Sequence, residues 1–117
     1  LSEYGTNTIV SADFNDRHGL IATAYRYKNF IDFHDITGGH EVRKLTGQQL
    51  LNPSLIEISS SGKYAAIAYS YDGYGGSIKI LNLQTGAIEK NLTVSRDNIG
   101  LVVDRRKRKI TAFFGIH

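Results

Sequence analysis

A repeat constrains this chain more than any other feature. The stretch ISSSGKYAAIAYS, residues 58–70, reads as a strand end, a polar turn and a small-residue apolar strand. FNDRHGLIATAY, residues 14–25, has the same order, and RRKRKITAFF, residues 105–114, again sets a polar turn before an apolar strand. Phe14 to Ile58 is 44 residues, and Ile58 to Val103 is 45. DITGGHEVRKL (35–45) overlays NLQTGAIEKNL (82–92) without a gap, at a period of 47. Self-similarity at such a period marks a fold built from stacked units, each too small to bury its own apolar surface alone.

Each cycle contains four short strands, and helical periodicity is almost absent. In the first cycle they are expected at 8–14, 20–25, 29–35 and 41–45, with Ile31 and Phe33 on one face. In the second they are expected at 53–59, 64–69, 77–82 and 88–92. There Leu55 opposes Ile56 and Ile58, while Ile78 and Ile80 alternate with Ser77, Lys79 and Leu81. YAAIAY, 64–69, is apolar nearly throughout, as suits a strand covered on both faces. A third cycle begins with strands at 98–104 and 109–115.

These residues carry a resemblance. FNDRHGLIATAY and ISSSGKYAAIAY look like the first hairpin of a WD40-like or YVTN-type β-propeller repeat. FHDITGGHEVRKL and ILNLQTGAIEKNL resemble its third strand, Asp-Leu-x-Thr-Gly turn and outer strand. Asp35 and Asn82 take the Asp position, and Gly39 and Gly86 take the turn glycine. The chain has no Trp: His34 and Leu81 stand where the family carries it, and the Gly-His pair of some members is missing. The resemblance implies an all-β fold of antiparallel four-stranded blades, incomplete in this chain. It is read as one β domain, 1–117, with blade one at about 8–46, blade two at about 53–93 and a partial blade three at about 98–115.

Closed propellers have about four to eight blades, so two and a half leave faces uncovered. Three readings follow: part of a longer propeller completed by other polypeptide segments, a ring closed by copies of this chain, or a small β-sandwich or barrel with an illusory repeat. The first is preferred, because the chain contains no Met and ends directly after a strand.

Composition narrows the function classes. With no Cys, disulfides, thiolate metal sites and cysteine nucleophiles are excluded. No apolar run approaches the roughly 20 residues of a membrane-spanning helix, and Leu1 opens no signal-like segment. Compartment is not legible. Net charge is +3, yet residues 96–117 hold six basic groups against Asp97 and Asp104, a local +4.

Candidate sites are few. His18, His34, His40 and His117 have no ligand spacing, so no metal and no cofactor is expected. Ser59, Ser60 and Ser61 form a turn cluster and not a nucleophile elbow. Asp13, Asp32, Asp35 and Asp104 are read as strand-end acceptors for turn N–H groups. The connection SYDGYGG (70–76) is longer than a turn needs, and its counterpart YRYKN (25–29) also sets tyrosine beside cations. Tyr25, Arg26, Tyr27, Lys28, Tyr71, Asp72 and Tyr74 are therefore the candidate binding residues, since tyrosine offers a large contact at low entropic cost. Arg105, Arg106, Lys107, Arg108 and Lys109 form a basic patch, read as a solvated turn or a contact to an acidic partner in preference to a nucleic-acid site. The expected function is a non-catalytic scaffold that recognises a protein or ligand through inter-strand loops. The alternative is part of a propeller enzyme (hydrolase, lyase or quinone-cofactor oxidoreductase) whose active-site residues lie mostly in other blades.

Overall fold

Short runs rich in β-branched and small apolar residues, separated by Gly, Asn and Asp, dictate short strands joined by tight hairpins. The computed structural model describes residues 8–71, 75–94, 103–104 and 109–110. Blade one comprises β1 (Ile9–Asn15), β2 (Leu20–Tyr25), β3 (Phe30–Asp35) and β4 (Glu41–Thr46). Blade two comprises β5 (Leu55–Ile58), β6 (Tyr64–Tyr71), β7 (Gly75–Asn82) and β8 (Ile88–Val94). Each is an antiparallel meander in chain order, and neither closes into a barrel. The strands β9 (Val103–Asp104) and β10 (Lys109–Ile110) form a further two-stranded pair. The two sheets are thus incomplete sets of β-propeller blades, as the resemblance implies.

The two blades repeat at the level of single hydrogen bonds. Ala12 faces Thr23 and Phe14 faces Ile21 in blade one, as Ile56 faces Ile67 and Ile58 faces Ala65 in blade two. Both third-to-fourth ladders carry a register shift at the same place, between Phe33 and His34 and between Ile80 and Leu81. The turns that follow are alike. Asp35 Oδ1 accepts from the Gly38 N–H at 2.7 Å, and Asn82 Oδ1 accepts from the Gln84 and Thr85 N–H groups. Gly39 and Gly86 close these turns at φ 71° and 81°, a left-handed conformation that glycine adopts without a Cβ penalty.

The core lies between the sheets. Strands alternate their side chains, so each blade has a leading face toward the next blade and a trailing face toward the previous one. Ala22, Ala24, Ile31 and Phe33 on the leading face of blade one pack with Ile56, Ile58, Ala65, Ile67, Tyr69 and Leu81 on the trailing face of blade two. The leading face of blade two, with Leu55, Ala66, Ala68, Ile78 and Ile80, packs against Ile110. The sequence assignment of these faces, including Leu55 opposed to Ile56 and Ile58, matches this packing. Alanines fill β6 because strands approach it from opposite sides, and Ala22 and Ala24 of β2 face blade two alone. Among the described residues blade two is therefore packed on both faces, whereas blade one is packed on one.

One expectation changes. Residues 70–76 are not mainly a loop: β6 runs on to Tyr71 and β7 starts at Gly75, with Ser70 paired to Gly76 and Tyr71 to Gly75. Cross-strand pairing absorbs most of the apparent insertion. Among the described residues no helix is long and apolar enough to cross a membrane.

Candidate functional site

The seam between the blades is polar at its inner strands. Ser11, Asp13 and Asn15 alternate along β1, and all three reach blade two. Ser11 Oγ accepts from the Ile56 N–H at 3.0 Å, and Asp13 Oδ2 accepts from the Ile58 N–H at 2.8 Å. Asn15 Nδ2 donates to the Ser59 and Ser60 carbonyls at 2.8 and 3.1 Å. These side chains satisfy backbone groups that β5 turns away from β6, and a buried N–H without an acceptor costs about 1–3 kcal/mol. Asp13 was expected to serve a turn, and it serves the neighbouring blade. The same position in blade two, Glu57, accepts from the Ile110 N–H at 3.0 Å. An acid in the first strand of each blade thus reaches forward to backbone of the next.

The trailing face of blade one is chemically mixed. Toward its inner edge, Ala12, Asp13, Phe14, Asp16, Ile21 and Ile36 line an open, mostly apolar hollow of about 290 Å³. Phe14 is 64% exposed there. Toward the outer edge, Tyr25 lies near the Asp32 carboxylate and packs at 5.3 Å from the Phe30 ring. Lys44 Nζ stands 4.6 Å from the Phe30 ring centroid and 3.8 Å from Asp32 Oδ1. That last distance exceeds a hydrogen bond, so buried Asp32 Oδ1 is left without a hydrogen-bond partner. Burial, and then the Asp32 carboxylate, push the Tyr25 hydroxyl above its ordinary pKa of 10.0. Asp32, like Asp13, lies outside any turn role, whereas Asp35 fills the role expected of it.

The candidate binding residues fall on the β2–β3 and β6–β7 connections, which occupy equivalent places in the two sheets. Tyr27 and Asn52 both hold left-handed backbone, at φ 63° and 62°. The Tyr27 N–H donates to Asn52 Oδ1 at 3.3 Å, and the Asn52 N–H donates to the Lys28 carbonyl at 3.0 Å. The segment after β4 therefore clamps this turn. Tyr27 projects 72% exposed, with the Arg26 guanidinium carbon 5.9 Å from its ring centroid. Lys28 and Tyr25 are half-buried. Tyr71 is described in backbone only, and Asp72 and Tyr74 lie outside the described residues. So do Arg105, Arg106, Lys107 and Arg108, while Lys109 enters β10. Asn52 went unnoticed in the sequence reading; an Asn directly before Pro53 is a turn signal that could have found it. Among the described residues no group of three or more His, Asp or Glu side chains is placed to hold a metal.

Similar solved structures include WD40 repeats and a β-propeller domain, and the likeness bears on the class of fold. Over 78% of this chain the WD40 repeats of RRP9 superpose with a TM-score of 0.63 at 18% identity. The β-propeller domain of Myceliophteria thermophila Cps50 (Swd1) superposes over 75% with a TM-score of 0.59 at 20% identity. Kuenenia stuttgartiensis hydrazine synthase superposes over 72% with a TM-score of 0.60, also at 20% identity. The chain spans about a quarter of each of these chains, between 24% and 27%. No family model and no curated protein matches the sequence. At this identity the likeness concerns the fold: these are propeller-type blades.

Proposed function

We propose that this chain is part of a β-propeller of the WD40-like or YVTN type whose work is recognition rather than chemistry. In this reading other polypeptide segments complete the ring, and the β2–β3 connections present tyrosine and cations to a protein or other ligand. The Tyr27 turn carries the proposal. A bulky aromatic residue in left-handed backbone is uncommon, and such strain persists only where the surroundings hold it in place. Here Asn52 holds it, and the result is an exposed ring beside a guanidinium. Tyrosine and arginine are the residue types that most often dominate binding energy.

An array of peptides and glycans probed with the whole chain tests this reading. A bound probe should lose roughly tenfold or more in affinity with Tyr27→Ala or Arg26→Ala. Binding indifferent to both substitutions contradicts it.

A further inference from the structure

The open trailing face of blade one can be compared position by position with the covered trailing face of blade two. In blade two, the Ile56 and Ile58 N–H groups point away from β6 and are met by Ser11 and Asp13 of the preceding blade. Ala12 and Phe14 lie 44 residues earlier and share the same register with their own second strand. Their N–H groups therefore point to the same edge. Among the described residues no side chain accepts from either. Beside them lies the apolar hollow of Phe14, Ile21 and Ile36, and farther out lies Asp32 Oδ1, which accepts no hydrogen bond and has Lys44 Nζ at 3.8 Å. Apolar surface, two inner N–H donors and one outer acceptor together describe what should cover this face.

We propose that this face is the seat of one further propeller blade, supplied by polypeptide outside this chain, whose first strand carries an Asp or Glu that accepts from the Phe14 N–H. A hydroxyl two residues before that acid accepts from the Ala12 N–H, and an outer-strand donor meets Asp32 Oδ1. This rests on the propeller reading and specifies the chemistry of the missing neighbour. The acid is the firmest element: Asp13 accepts from the first strand of blade two at Ile58, and Glu57, at the equivalent position, also accepts from the backbone of the following pair, at Ile110 of β10. A second copy of this chain is a poorer occupant. The 44- and 45-residue spacings bring Val102 to the acid position in the third cycle and Gly100 to the hydroxyl position. Head-to-tail stacking of copies would leave the Phe14 and Ala12 N–H groups unmet.

The test uses a chain in which residues 8–51 are repeated directly ahead of Thr8, which keeps the 44-residue spacing. The added blade brings its own Ser11 and Asp13 to the seat. Amide hydrogen exchange at the original Phe14 should slow roughly tenfold relative to the natural chain, the worth of one backbone hydrogen bond to a charged acceptor. Asp13→Ala in the added blade alone should reverse that gain, with Ile58 still protected in the same molecule. Equal Phe14 exchange in both chains, with Ile58 protected in both, overturns the proposal while leaving the propeller reading intact. An unprotected Ile58 in the natural chain overturns both. Phe14 protection that rises with concentration in the natural chain makes the occupant a second copy and overturns the proposal.

Discussion

Blade one and blade two present the same trailing face from equivalent positions, and their side chains differ according to what covers them. Ile56, Ile58, Ala65, Ile67 and Leu81 in blade two correspond to Ala12, Phe14, Ile21, Thr23 and His34 in blade one. The first set is buried against blade one; in the second, Ala12 and Phe14 are exposed, Ile21 and His34 half-buried and Thr23 buried. Tyr69 and Tyr25 are also equivalent, but a lysine stands over the first and the second lies near a buried aspartate. The backbone plan is thus repeated while the face chemistry is not. Each seam of a propeller carries its own complementarity, and an outer face specifies its neighbour by charge as well as by shape.

Core truncations should separate the two faces most sharply. Ile67 is fully buried between the blades, and Ile67→Ala should cost about 2–5 kcal/mol in denaturant unfolding. The equivalent Thr23→Ala removes a smaller, polar side chain and should cost well below that. Similar losses at both positions would break the comparison and imply a covered trailing face on blade one.

The polar seam comes next. Asp13→Ala leaves the Ile58 N–H without its acceptor and should destabilise by about 1–3 kcal/mol. Asp13→Asn keeps an acceptor oxygen and should avoid most of that loss. If the alanine variant unfolds at the same denaturant concentration as the natural chain, the seam hydrogen bond contributes nothing.

Glycine substitutions rank the two equivalent turns. Gly39→Ala meets no atom within 4 Å, so its cost is backbone strain alone, on the order of 1 kcal/mol. Gly86→Ala adds contacts at 3.2 Å to Arg43 and 3.3 Å to a Leu45 methyl, and should cost more. Thermal unfolding of both variants checks the order.

Tyr25 gives the smallest and most specific signal. Its folded pKa lies above the unfolded value of 10.0, first through burial and then through Asp32. The folded state therefore holds the proton more tightly. The stabilisation is complete below about pH 10 and is lost as pH rises through the folded pKa. Tyrosinate absorbance during alkaline titration should show a late-titrating component, which Asp32→Asn brings earlier. An unchanged titration in Asp32→Asn would remove Asp32 from the account.

Much of the fold was legible because period and turn chemistry are local. Gly39 and Gly86 mark their turns at a spacing of 47, and alternation in β5 and β7 assigns each isoleucine to its face. The seam was not legible. Ser11, Asp13 and Asn15 alternate as a solvent-facing set would, and the pattern alone cannot distinguish water from the backbone of another blade. Asp13 was accordingly assigned to a turn. The extra pairing at Ser70 and Tyr71 was hidden for a similar reason: Gly75 and Gly76 read as loop residues until a partner strand is known. The Tyr27 turn was found by composition, but its clamp depends on Asn52, 25 residues away.

The central claim is that two successive blades stack with the leading face of the first on the trailing face of the second. Methyl-to-methyl nuclear Overhauser contacts in the whole chain test it most directly. The account predicts contacts from Ala22, Ala24 and Ile31 to Ile56 and Ile67, together with protection of the Ile58 amide. Two sheets each showing their internal contacts and none between them would contradict it.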